Sequence, residues 1–176
     1  MTSATKDRDL RDWIELLDKQ GELKRITAEV DWREELGAIN RINTHKNGPA
    51  LLFENIKDYK DTRCTKLFTN GLGATKRLAM ALNLPLDSGD RTIVEVMKKR
   101  YAQRLDPILR DTGPVKENIL TGKDIDLYQI PVPLVNYRDG GRYINPACSV
   151  VTRDPDTGMM NIGTYRGMLS QKHTIP

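Results

Sequence analysis

Apolar residues recur at helical spacing in four stretches of the chain. Leu10, Trp13, Ile14 and Leu17 mark a helix over 8–20. Asp7 or Asp9 is placed to cap its start and Gly21 to end it. Glu22-Leu23-Lys24-Arg25-Ile26 alternates as a strand does. Leu36, Ile39 and Ile42 share one face of a second helix over 32–45, and Asn47-Gly48-Pro49 breaks it. Ala50-Leu51-Leu52-Phe53 reads as a short buried strand, and 65–69 as another. Residues 74–83 and 91–103 return to the helical period. This alternation predicts an α/β domain over 1–105.

The pattern then changes. Pro107, Pro114, Pro131 and Pro133 fall within 106–145, which predicts an extended connection rather than a helix. Residues 115–120 are a candidate strand inside it, and Ile130-Pro131-Val132-Pro133-Leu134 reads as extended or polyproline backbone. From 146 to 176 a second domain begins. Cys148-Ser149-Val150-Val151-Thr152 is small and β-branched, and 159–166 continues in strand character. Between them Asp154-Pro155-Asp156-Thr157-Gly158 is turn chemistry: proline presets φ, aspartate caps its own backbone, glycine accepts φ > 0. Strands at 147–153 and 159–168 are therefore expected to pair as an antiparallel hairpin, with at least one edge lacking a partner. Asn161, Gly163 and Tyr165 would share one face, and Ile162, Thr164 and Arg166 the other.

Composition narrows the function classes. The 176 residues are 38% hydrophobic and 30% charged, enough for a modest core. The net charge of +4 suits anionic ligands, but 24 acidic residues are mixed among 28 basic ones and no long basic run exists. Nucleic acid is thus a disfavoured partner. Cys64 and Cys148 lack metal-site spacing and read as two buried, reduced thiols. No run of about 18 apolar residues and no signal-peptide core occur, which predicts a soluble, cytoplasmic protein with no membrane partner.

Most candidate chemistry has a plain structural reading. Asn70-Gly71-Leu72-Gly73, with Lys76 and Arg77 nearby, could offer backbone N–H groups to a phosphate. It lacks the third glycine of a dinucleotide fingerprint and reads better as a tight turn. His45 suits a helix C-terminus. His173 has no partner at ligand spacing, and Glu34-Glu35 and Asp124-Ile125-Asp126 suit solvated faces. Asn161 and Arg166 stand apart. Asparagine inside a strand costs β propensity, yet it is a fair oxygen ligand for a hard cation. An arginine beside it can grip a phosphate or carboxylate with two prongs.

DGGRYI at 139–144, TRDPDTG at 152–158 and NIGTYR at 161–166, in that order and spacing, resemble the UbiD-like reversible decarboxylases. DLRDWIELLDKQGELKRI at 9–26 and GPALLFENIK at 48–57 agree. The resemblance implies prenylated FMN as cofactor, with a divalent metal such as Mn2+ and also K+. It implies that an aromatic or α,β-unsaturated acid and CO2 are the reactants. It implies an α/β N-terminal domain followed by the first strands of a split, flavin-reductase-like β-barrel, here truncated. Asn161 would coordinate the metal, and Thr164, Tyr165 and Arg166 would line the flavin. Arg166 would also be the catalytic arginine of the family's Glu–Arg–Glu network. The network's glutamates and the metal-binding glutamate and histidine lie downstream in the family pattern. The expectation is therefore a truncated, cleaved or split enzyme, inactive alone and oligomeric or completed by further segments. The alternatives are a non-catalytic assembly module or subunit of a carboxylase complex, or a phosphate- or nucleic-acid-binding domain.

Overall fold

A computed structural model describes residues 9–103, 105 and 108–176, and these divide into two compact units. The first unit draws its described residues from Met1–Thr27, Asn40–Phe53 and Leu67–Ile119. The second draws on Ala28–Ile39, Glu54–Lys66 and Leu120–Pro176.

In the first unit, α1 (Leu10–Lys19) begins at a capping box. The Asp9 carboxylate accepts from the backbone N–H groups of Arg11 and Asp12, and Asp12 reciprocates to the Asp9 N–H. Asp7, the other candidate cap, lies outside the described residues. Gly21, at φ 70°, ends the helix in the left-handed region. β1 (Leu23–Ile26) lies parallel to β2 (Ala50–Phe53), and β2 lies antiparallel to β3 (Leu67–Thr69). Between β1 and β2 the chain runs through α2 (Glu35–His45), the crossover a parallel pair requires. β2 is central, so all four of its residues are buried. His45 closes α2 in its last turn, as its dipole favours. Two further helices, α3 (Thr75–Ala81) and α4 (Asp90–Tyr101), follow β3. Leu17, Phe53, Ala79 and Ile93 complete the unit's buried apolar set.

Arg77 on α3 is only 1% exposed, the one buried charged side chain among the described residues. Its Nη1 donates to Glu22 at 2.9 Å and its Nη2 to the Gly48 carbonyl at 3.1 Å, while Nε has no partner. Lys76 donates to the other oxygen of Glu22 at 2.7 Å. Burial pushes the Glu22 carboxyl up, but hydrogen bonds from Lys76 and Arg77 outweigh it and hold the group below the usual carboxylate range.

In the second unit, Arg33 and Leu134 form an isolated parallel bridge, with Glu34 N donating to Leu134 O and Leu134 N to Trp32 O. Gly37 lies against the Val135 backbone, leaving no room for a Cβ, so glycine is retained inside a helix despite a cost of about 1 kcal/mol relative to alanine. Val30, Leu36, Ile56, Tyr59, Pro131, Val132 and Leu169 are buried. β4 (Val150–Arg153) pairs antiparallel with β5 (Met160–Gly163), with Thr152 opposite Asn161 and Val151 opposite Ile162. The turn is closed by Asp154 N to Met159 O at 2.9 Å and by Gly158 at φ 71°. The Asp154 carboxylate accepts from the Thr157 N–H and hydroxyl and from the Asp156 N–H, which holds its carboxyl below the usual range.

Several expectations are corrected. Residues 115–120 form no strand: Pro114 opens a 3-10 turn (Pro114–Lys116), because proline at its first position is preset for a turn and leaves no ladder donor. The hairpin strands are shorter than 147–153 and 159–168, and the second ends at Gly163. The thiols are not both buried: Cys64 is exposed and Cys148 half-buried, each beside irregular backbone rather than inside a core. In the described part of the second unit the extended pairing consists of this hairpin and isolated bridges.

Removing Arg77 leaves Glu22 with Lys76 alone, takes the stronger donor from the Gly48 carbonyl and empties a buried site. Arg77→Ala should lower unfolding free energy by about 3–5 kcal/mol in urea titrations. Glu22→Gln should also destabilise, since the buried guanidinium then lacks its counter-charge. Because the folded Glu22 carboxyl sits below its unfolded value, its contribution is present above the unfolded pKa and is lost as pH falls through the folded one. The hairpin has the same sign. Asp154→Ala should lower the amide protection factors of Thr157 and Met159 at neutral pH and abolish their further fall as Asp154 is protonated in acid.

Candidate functional site

The DGGRYI segment lies beside the chain that follows β5. Tyr143 and Met168 form an antiparallel bridge. Ile144 N donates to Gly167 O at 3.0 Å, and Leu169 N donates to Arg142 O at 2.8 Å. Pro146, unable to donate, comes two residues after Ile144, and the pairing does not extend past Asn145 N to Gly167 O.

Arg142 fixes this segment within the unit. Its Nε donates to the Val132 carbonyl at 2.6 Å, and its Nη2 donates to the Tyr59 hydroxyl. Its guanidinium lies 4.2 Å from the Trp32 ring centroid and 5.7 Å from those of Tyr59 and Tyr128. Trp32 Nε1 in turn donates to Asp58. A cation surrounded by aromatic faces and fixed by two hydrogen bonds has little freedom. Composition and spacing did not single out Arg142, because its partners lie far apart in sequence.

The four sequence-derived site residues fall within six positions. Asn161 is in β5, exposed, opposite Thr152. Thr164, Tyr165 and Arg166 follow the strand's end and are exposed. The strand face expected to carry Asn161, Gly163 and Tyr165 therefore stops at Gly163. There a Cβ would run into the Tyr165 ring, so the tyrosine folds back over the glycine. The Tyr165 carbonyl accepts from Cys148 Sγ at 3.3 Å. Arg166 lies over Tyr143, its Cζ 5.0 Å from the ring centroid. Among the described residues Arg166 has no carboxylate within ion-pairing distance. Other cations of the same unit are paired with carboxylates, as in Lys57–Asp31, Lys60–Glu29 and Lys66–Glu54.

The Asn70–Gly73 loop is a turn. Gly73 N donates to Asn70 O, Asn70 has φ 59°, and its side-chain amide donates to the Pro49 carbonyl. Gly71 is pressed against the Phe68 ring and Gly73 against the Asn70 side chain, so close packing accounts for both glycines. Lys76 and Arg77 are committed to Glu22.

A guanidinium without a carboxylate partner, stacked on the Tyr143 ring, fits an anion such as a phosphate or an aryl carboxylate. Of the four sequence-derived site residues, Asn161 is the one singled out as an oxygen ligand for a divalent metal. No group of three His, Cys, Asp or Glu side chains suited to a metal occurs among the described residues. A hard cation takes six or more oxygens, so the remaining ligands would come from the phosphate, water or other donors.

Two family models match the chain. One is described as the 3-octaprenyl-4-hydroxybenzoate carboxy-lyase N-terminal domain, over residues 14–97. The other is the Rift-related domain of the same carboxy-lyase, over 107–175. Pyrrole-2-carboxylic acid decarboxylase of Pseudomonas aeruginosa is 36% identical, over 95% of this chain and 35% of its own length. Vanillic acid decarboxylase of Sedimentibacter hydroxybenzoicus, solved in a closed form, superposes with a TM-score of 0.83 at 33% identity, covering 96% of this chain and 36% of that one. An evolved dimeric form of the UbiD-class enzyme HmfF from Pelotomaculum thermopropionicum, solved with prenylated FMN, gives 0.79 at 30% identity, covering 93% and 36%. The chain thus spans about a third of these relatives' length. No described helix is long and apolar enough to cross a membrane.

Because the Tyr165 ring occupies the space over Gly163, Gly163→Ala should displace that ring. The Tyr165 side-chain NMR signals should shift while the cross-strand contacts of Val151 with Ile162 stay in place.

Proposed function

The chain belongs to the UbiD carboxy-lyase family, and from that premise we propose that it forms the N-terminal part of a reversible decarboxylase acting on aromatic or α,β-unsaturated carboxylic acids. The observation that carries the reading is the unpaired Arg166, held over Tyr143 in a run that also presents Asn161, Thr164 and Tyr165. Loss of CO2 leaves an electron pair on carbon that no protein side chain can absorb, and prenylated FMN supplies the sink when bound. The chain's own residues do the holding. Arg166 grips a carboxylate through parallel N–H donors, which sets the bond to be broken and stabilises its charge. Thr164 and Tyr165 line the flavin. Asn161 gives one oxygen to a divalent ion, Mn2+ in this reading, that offsets the flavin phosphate; K+ is a further candidate cation. In this reading a carboxylic acid delivers the proton to carbon; none is among the four residues of this site, so the role falls to the remaining length of the enzyme. In this reading residues 146–176 open a split β-barrel, 106–145 connect it to the α/β part, and the chain works in the cytoplasm.

A second reading, a non-catalytic assembly module, draws on the exposed apolar residues of the hairpin, Val151, Met160 and Ile162. The two separate by experiment. The chain is joined to the remaining length of the Sedimentibacter hydroxybenzoicus enzyme and supplied with prenylated FMN and Mn2+. Flavin absorbance after gel filtration and CO2 release from a panel of aromatic acids are then measured. Turnover supports the enzyme reading; assembly with flavin retained but no turnover on any acid supports the module. In the active chimera Arg166→Ala should keep the flavin and lose about 100-fold or more in turnover. Arg166→Lys should recover little, because an ammonium lacks the planar fork. Asn161→Ala should weaken Mn2+-dependent flavin retention at least about tenfold. Near-normal turnover of Arg166→Ala would reject the arginine's role.

A further inference from the structure

We propose that Tyr143 is a positioning residue that holds the Arg166 guanidinium in its working place without neutralising it. The proposal rests on the reading of Arg166 as the anion-gripping group. Arg166 is exposed and long, and such a side chain ordinarily samples many rotamers. Here its Cζ lies 5.0 Å from the centre of the Tyr143 ring. The contact is made through the ring face, so the guanidinium's in-plane N–H donors remain available to a ligand. A carboxylate neighbour would instead consume those donors and cancel the charge. Tyr143 can therefore order the cation and leave it reactive toward an anion.

Three observations show that the ring itself is held. The backbone of 142–145 is paired to 167–169 through the Tyr143–Met168 bridge, Ile144 N to Gly167 O and Leu169 N to Arg142 O. Two glycines permit that approach: a Cβ at Gly141 would lie 2.6 Å from Met168 Sδ, and one at Gly167 would lie 3.1 Å from Asn145 Nδ2. Arg142 is fixed by Val132, Tyr59 and Trp32. Neighbouring residues of extended chain project to opposite sides, so anchoring Arg142 commits Tyr143 to the other side, where Arg166 lies. An exposed cation–π contact biases the stacked position by roughly two- to fivefold.

The test uses the chain labelled with 15N-arginine. The Arg166 Nε–Hε signal is assigned by its disappearance in Arg166→Lys and should carry an upfield ring-current shift. Tyr143→Leu should abolish that shift and weaken binding of benzoate, the aryl carboxylate probe followed by broadening of its proton NMR lines, by about two- to fivefold. Tyr143→Phe should preserve both, since it keeps the ring face. Should Tyr143→Leu fail to fold, pentafluorophenylalanine at position 143 keeps the ring's shape and reverses the charge of its face, and it should likewise weaken benzoate binding. An Arg166 signal that keeps its wild-type position in Tyr143→Leu, or unchanged benzoate affinity with the fluorinated ring, overturns the proposal. A signal that moves as expected while Arg166→Lys leaves benzoate affinity unchanged would uphold the contact and reject the anion-gripping role of Arg166 instead.

Discussion

Each compact unit is closed by one arginine that reaches all three of its chain segments. In the first, Arg77 from Leu67–Ile119 bonds Glu22 from Met1–Thr27 and the Gly48 carbonyl from Asn40–Phe53. In the second, Arg142 from Leu120–Pro176 meets Trp32 from Ala28–Ile39 and Tyr59 from Glu54–Lys66. A unit assembled from separated segments loses more chain entropy on closing than one built from neighbours. A guanidinium suits this task because its donors point in several fixed directions and its faces accept aromatic rings. The two solutions differ in how the charge is balanced. Arg77 is paired with a carboxylate, whereas Arg142 is solvated by rings, a hydroxyl and a carbonyl.

That difference bears on the site. The second unit spends its aromatic residues on cations: Trp32, Tyr59 and Tyr128 surround Arg142, and Tyr143 lies beneath Arg166. Aromatic faces hold a guanidinium and leave its charge intact. Arg142 is thereby anchored, and Arg166 is stacked but has no carboxylate partner among the described residues. A hairpin of two four-residue strands is marginal by itself in water. Its turn is tightened by Asp154, and the segments beyond β5 are tied to 142–145, so the site residues rest on more than the hairpin alone.

How much was legible in the sequence follows from the range of the interactions. The capping aspartate, the glycine ending α1, the buried β2 and the Asp154–Gly158 turn are set by residues a few positions apart, and all were readable there. The family was readable for a related reason, since blocks such as NIGTYR keep their order and spacing. Strand ends were not. Continued alternation past Gly163 looks like strand in one dimension, but the Tyr165 ring folds over the glycine and the ladder stops. Residues 115–120 have the composition of a strand and no partner to pair with, so Pro114 decides the local conformation.

The sequence by itself determined which residues form helices and the three-stranded sheet and where the hairpin turns, and it singled out Asn161 and Arg166 as candidates. Tertiary structure alone decided that Arg77 and Arg142 are the tie points and that Arg166 stacks on Tyr143. Their partners stand 55 positions away for Arg77 and Glu22, and 83 for Arg142 and Tyr59. Local propensity extends over a few residues, so a contact across such a span has no signature in the spacing of residue types. It arises only when the sheet and the paired segments bring distant side chains within reach.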